Sequence, residues 1–167
     1  SICRFRSDMR PVLGNIPFDF DSPKKDTIFD NETDEEKIKM MREDEELAEE
    51  VLGEVWKDAQ SLVTKCLEDG IPVVTVFSGL GVHCHMLFKD RVKPVKEKVS
   101  TSNYYIDECD LDTWDRKIVP DVRRVLRIPN SQRVVDEKAI GTYCIPITES
   151  EVLQNSIHDL LERCSKR

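Results

Sequence analysis

The 167-residue chain lacks any apolar run approaching the ~18–20 residues that a membrane-crossing helix needs, so no segment reads as a bilayer span. No stretch reads as a secretory leader, and there are no internal repeats. Its six cysteines (Cys3, Cys66, Cys84, Cys109, Cys144, Cys164) include no CxxC pair and no spacing typical of a zinc module or a disulfide framework. Buried, reduced thiols are therefore expected, and with them an intracellular setting. Net positive charge is absent too: the formal charge of −8 argues at first sight against a nucleic-acid partner.

That charge is unevenly spread. Residues 30–58 hold thirteen acids against four bases, a local balance of −9 that outweighs the whole chain. Residues 89–98 (KDRVKPVKEK) carry five bases to two acids, and residues 115–138 seven to four, so phosphate binding at these stretches remains open. With 39% hydrophobic and 35% charged residues, a single compact domain over 1–167 is expected.

Along the chain, 11–21 (PVLGNIPFDFD) read as a turn and a short strand ending in acids, and 22–36 as a polar loop. Thr33 with Glu36 forms a capping-box pattern. Ile38, Met41, Leu47, Val51, Leu52, Val55, Trp56, Ala59, Leu62, Val63, Cys66 and Leu67 then recur at helical spacing. This acidic segment, about 33–69, predicts one long helix or two in series ending at Asp69-Gly70, with the acids on its solvated face. IPVVTVF (71–77) and 82–88 predict a hairpin around Ser78–Gly81. Residues 89–113 read as irregular, with a short strand at 104–106. Pro120 and Asp121 open a predicted helix that Pro129 ends, 139–147 read as a strand, and Thr148 or Ser150 caps a last helix. The order of elements predicts an α/β or α+β protein, a mixed or antiparallel sheet flanked by helices, with its motifs at about 15–21 and 71–147.

Three places carry chemistry. In FSGLGVHCHMLF (77–88), strand alternation puts Val82, Cys84, Met86 and Phe88 on one face and His83 and His85 on the other. A joint His-Cys-His metal site is therefore poor geometry, although a His-x-His pair alone could ligate one ion, and the plainer reading of His85 is a structural histidine tied to a neighbouring backbone group. Ser78, Gly79 and Gly81 either form a plain turn or offer N–H groups to an anion, with His83 beside them. In IPFDFDS (16–22), Asp19 and Asp21 leave one strand face with Cα atoms ~6.5–7 Å apart. The pair is either a strand running out into a loop or a set of hard oxygen donors for Mg²⁺ or Mn²⁺. In WDRKIVPDVRRVLRIPNS (114–131), Asp115 precedes a segment bearing Arg123, Arg124 and Arg127, which is either solvent-facing decoration or the counter-charge of a phosphate site.

In order, these segments resemble the catalytic core of the archaeo-eukaryotic primase superfamily, especially the small subunit of DNA primase. FDFD, FSGLGVHCH and DRKIVPDVRRVLRIPNS follow that family's sequence of an Asp-x-Asp, a Ser-Gly turn with a following His, and a third Asp before an Arg-rich helix. Asp115, Ile118, Asp121, Arg124, Arg127, Pro129 and Ser131 fall where the family's pattern wants them, and the match spans roughly 15–133. The resemblance implies a DNA-directed primase or primase-polymerase that joins nucleotides on single-stranded DNA. Asp19, Asp21 and Asp115 would hold two Mg²⁺ or Mn²⁺ ions, and Ser78, Gly79, His83, Arg124 and Arg127 would bind the nucleoside triphosphate. The alternatives are a repair or end-joining polymerase of the same superfamily and a catalytically silent replication scaffold. The implied partners are the DNA template, nucleoside triphosphates and a second primase subunit or other replication protein, without a membrane, in the cytoplasm of a prokaryote or of a plasmid's or virus's host. Gln132-Arg133 stands where the family often has Leu-His, which leaves Arg133 as the basic group there.

Overall fold

The structure, a computed structural model, describes residues 3–5, 11–13, 15–88, 95–116, 130–135 and 138–165. In chain order the elements are β1 (Cys3–Phe5), β2 (Pro11–Leu13), β3 (Asn15–Asp21), α1 (Lys25–Ile28), α2 (Asp34–Glu43), α3 (Glu45–Glu68), β4 (Val73–Phe77), β5 (Gly81–Leu87), α4 (Val95–Cys109), β6 (Gln132–Val135), β7 (Lys138–Tyr143), β8 (Ile145–Ile147), α5 (Glu149–Gln154) and α6 (Ile157–Ser165). The fold is mixed α and β. A four-stranded sheet of order β3-β5-β4-β8 is antiparallel throughout, and β1-β2 and β6-β7 form two-stranded antiparallel pairs.

Alternation along β3 and β5 builds the core. Ile16, Phe18 and Phe20, with Val82, Cys84 and Met86, leave one face of the sheet and are essentially inaccessible. Against them α3 lays Val55, Ala59, Leu62, Val63 and Cys66, the stripe its helical spacing predicts. Each large side chain so buried contributes about 1.5–3 kcal/mol, so this face is where stability is concentrated.

The acidic segment is two helices in series. Thr33 and Glu36 form the reciprocal cap of α2, and Asp44, extended in conformation, accepts the Leu47 N–H at 3.0 Å to start α3. Asp69 ends α3, and Gly70 follows at φ +67°. Most of the acids lie on the solvated face, but Asp58 is buried.

Four expectations are corrected. The loop at 22–36 contains one helical turn, α1. The segment expected to be irregular, with a strand at 104–106, is helix α4. Docking on α3 overrides the strand preference of its Tyr-Tyr-Ile: Tyr105 donates its hydroxyl to Asp69 at 2.7 Å, and Cys109 Sγ lies 3.8 Å from the Ser61 carbonyl. The single strand at 139–147 is two, β7 and β8, in different sheets on either side of Cys144. The last helix is also two, because Ser156 accepts the Asp159 N–H at 3.2 Å and starts α6 after the Thr148 box has capped α5. The helix expected between Pro120 and Pro129 lies outside the described residues.

Candidate functional site

The face of β3 opposite the core carries Asp19 and Asp21, and the antiparallel register puts His83 of β5 across from Asp19 and Gly81 across from Asp21. Gly81 is required by close approach: a Cβ there would meet the Phe20 carbonyl oxygen at 2.5 Å. His83 Nε2 lies 3.2 Å from Asp19 Oδ1, with only 8% and 11% of the two side chains exposed. His83 Nδ1 is buried and has no hydrogen-bond partner among the described residues. Asp21 is half exposed and pairs with Lys25 Nζ at 3.0 Å.

The third acid arrives from the other edge of β3. After α4 the chain turns back, and Phe20 and Trp114 form an antiparallel bridge. Its two hydrogen bonds run from Asp21 N–H to the Thr113 carbonyl at 3.0 Å and from Asp115 N–H to the Asp19 carbonyl at 2.8 Å. This pairing sets Asp115 opposite Asp19, and directly opposed residues share a face, with Cα atoms about 5.5 Å apart in a hydrogen-bonded pair. The backbone of Asp115 is thus set beside that of Asp19, at the edge of the strand that carries Asp19 and Asp21.

A cavity of about 200 Å³ is lined by Asp19, Asp21, Ser78, Leu80 and His83 together with Lys25, Asp26, Asp34, Lys37 and Arg133. Lys25, Asp34 and Lys37 were not singled out in the sequence, because they sit in the polar loop and at the start of the acidic helix, and no motif marks them. Arg133 is nine-tenths buried and donates through Nε to Asp34 Oδ2 at 2.9 Å, with a second, shorter bond from its terminal nitrogen. That pair ties β6 to the N-terminal turn of α2, and Lys37 adds a further basic side chain to the cavity lining.

The Ser78–Gly81 turn is largely closed on itself. Ser78 donates both its N–H, at 2.9 Å, and its hydroxyl, at 3.1 Å, to the Gly81 carbonyl. Gly79, at φ +87°, is packed so that a Cβ would meet Ile38 at 3.0 Å and Thr142 at 3.2 Å. Gly79 therefore seats the hairpin against α2 and β7, while Ser78 reaches the cavity wall.

His85 shares the His83 face, as the alternation requires, but is tied to a side chain: Asn15 Nδ2 lies 3.0 Å from its Nδ1. Burial, and after it the charge of His83, pushes the His85 imidazole down from 6.5 to about 4, so it is neutral near pH 7. Cys84 points into the core, and burial pushes its thiol up to about 12, which makes it unreactive at neutral pH.

The structure therefore brings Asp19, Asp21, Ser78 and His83 to one cavity and sets the backbone of Asp115 beside Asp19. Arg123, Arg124 and Arg127 lie outside the described residues. The acids present only hard oxygen donors, which suits Mg²⁺ or Mn²⁺ better than Zn²⁺. Among the described residues, no three His, Cys, Asp or Glu side chains are gathered closely enough to hold one ion. Asp21 faces Lys25 instead, in a partly exposed pair worth about 0–1 kcal/mol, a small cost to give up on binding an ion. No helix among the described residues is long and apolar enough to cross a membrane. No family model matches the chain, and no curated protein or solved structure matches it.

Proposed function

We propose that the chain is the catalytic domain of a template-dependent nucleotidyltransferase of the primase kind, joining nucleotides on single-stranded DNA. The observation that carries the reading is the Phe20–Trp114 bridge. Residues 94 positions apart in sequence meet there, and the backbone of Asp115 is set beside Asp19, whose strand also bears Asp21 and whose neighbour strand bears His83. A plain strand end would have no reason to gather a third acid.

Asp19, Asp21 and Asp115 would hold two Mg²⁺ or Mn²⁺ ions, which when bound promote ionisation of the attacking 3′-hydroxyl and offset the charge of the leaving pyrophosphate. The protein's own groups account for the rest. Lys37 and Arg133 line the same cavity as Asp19 and Asp21, so a ligand carrying both cations and phosphates meets charge of both signs there. Ser78 and His83 line the same cavity. His83, held by Asp19, is assigned to the triphosphate by the sequence motif, as Arg124 and Arg127 are to phosphate or primer. In the transfer, the 3′-oxygen bonds to the α-phosphorus and pyrophosphate departs with the electron pair of the broken bond.

The test is incorporation of labelled nucleotides on single-stranded DNA, with and without a primer, in Mg²⁺ and in Mn²⁺, beside an Asp19→Asn/Asp21→Asn control. Incorporation that the control lacks is expected. If it needs a primer, the chain is an extending polymerase; if not, it is a primase. No incorporation under any of these conditions would overturn the reading in favour of a scaffold that binds a replication partner. The pairing of Asp19 and Asp21 with His83 and Lys25 is the observation that suits such a scaffold.

A further inference from the structure

We propose that Asp58, in the second half of α3, is the positioning residue for Asp115. Its buried carboxylate fixes residues 112 and 113, so that the two residues after them dock on the edge of β3. Oδ2 of Asp58 accepts the Asp112 N–H at 2.9 Å, the Thr113 N–H at 2.7 Å and the Thr113 hydroxyl at 2.8 Å. The Thr113 carbonyl in turn accepts the Asp21 N–H, and two residues on the Asp115 N–H reaches Asp19. Thr113 is therefore clamped on one side by α3 and on the other by the strand that carries the acids.

The chemistry of the clamp calls for an ionised carboxylate. All three partners are donors and converge on one oxygen, where charge-assisted hydrogen bonds are strongest. Asp58 lies among Val55, Ala59 and Leu62 on the buried side of α3, where an acid is costly unless it is fully bonded. An apolar residue would serve the core there; the acid serves the loop.

The loop geometry stands independently, but its consequence for catalysis rests on the nucleotidyl-transfer reading. The test compares Asp58→Asn and Asp58→Ala with the unaltered chain by residue-resolved amide exchange, by Mn²⁺ binding without nucleotide, and by nucleotide incorporation. The amides of Thr113 and Asp115 are expected to exchange at least about tenfold faster while that of Cys84 in β5 is unchanged, which excludes general unfolding. Mn²⁺ affinity is expected to fall about 10–100-fold, the scale for losing a group that orients a metal ligand. The kcat for incorporation should fall while the KM for nucleotide stays within about twofold. Should Asp58→Ala not fold, Asp58→Asn carries the test alone. Unchanged exchange at Asp115, or faster exchange with unchanged Mn²⁺ affinity, would overturn the assignment. If the unaltered chain incorporates nothing but the variants still loosen Asp115 and weaken Mn²⁺ binding, the positioning role stands and the transfer reading falls.

Discussion

On β3, Ile16, Phe18 and Phe20 point into the helical layer, whereas Asp19 and Asp21, one residue out of phase, point the other way; on β5, Val82, Cys84 and Met86 oppose His83 and His85 in the same manner. The first set is fully buried and the second only in part, at Asp19 and His83, and the two satisfy burial differently. The apolar face needs only volume and contact. The polar face has to pair what it buries: Asp19 takes His83, and His85 takes Asn15. A slip of one residue in the β3-β5 register would exchange the two sets, so the glycine that permits close approach at Asp21 protects both faces.

The sharpest way to break this comparison is to damage each face separately. Phe20→Ala should cost about 3–5 kcal/mol in chemical denaturation, because it empties a fully buried ring from the core. Asp19→Asn should leave stability within about 1 kcal/mol, since the amide oxygen can still accept from His83, yet lower incorporation by about 10²–10³-fold. If Asp19→Asn unfolds the chain while the folded fraction keeps its activity, the division of labour is wrong. Asp19→Ala is a poorer probe because it strips the His83 Nε2 of its carboxylate partner, whereas Asp21→Ala should be nearly neutral for stability, its Lys25 pair being partly exposed.

A smaller effect is expected at the contact that registers the two strands. Gly81→Ala should destabilise by about 1–3 kcal/mol, read in the denaturation midpoint, because its Cβ would push β5 off the Phe20 carbonyl. Equal stability of the variant would show that the strands have room to spare.

A pH dependence is expected as well. The His85 imidazole sits at about 4 in the folded chain against an ordinary 6.5, so the unfolded chain binds the extra proton first. Its contribution to stability is fully present above pH 6.5 and is lost as pH falls toward 4. His85→Gln should flatten that part of the stability profile measured by denaturation at a series of pH values. An unchanged slope would mean that other groups carry it.

Much of this was legible in the sequence because it follows from alternation and capping. The two-residue period of IPFDFD and GVHCHMLF assigned both faces, and Thr33-x-x-Glu36 marked the start of α2. What escaped depends on contacts between distant segments. Tyr104–Ile106 have the composition of a strand and become helix because α3 receives them. Asp58 resembled its acidic neighbours, and only the loop folded against it distinguishes it. Lys37 and Arg133 belong to no common pattern and meet only when β6 docks against α2. The three acids could be named from their motifs, but the bridge that sets Asp115 opposite Asp19 had no local signal at all.

The most direct test of the central claim, that Asp19, Asp21 and Asp115 act as one hard-metal site serving a triphosphate, is a Mn²⁺ titration with and without a non-hydrolysable nucleoside triphosphate. The account predicts weak Mn²⁺ binding that the triphosphate strengthens at least about tenfold and that Asp115→Asn abolishes. Mn²⁺ binding indifferent to both triphosphate and Asp115, or tight Zn²⁺ binding that needs no nucleotide, would contradict it.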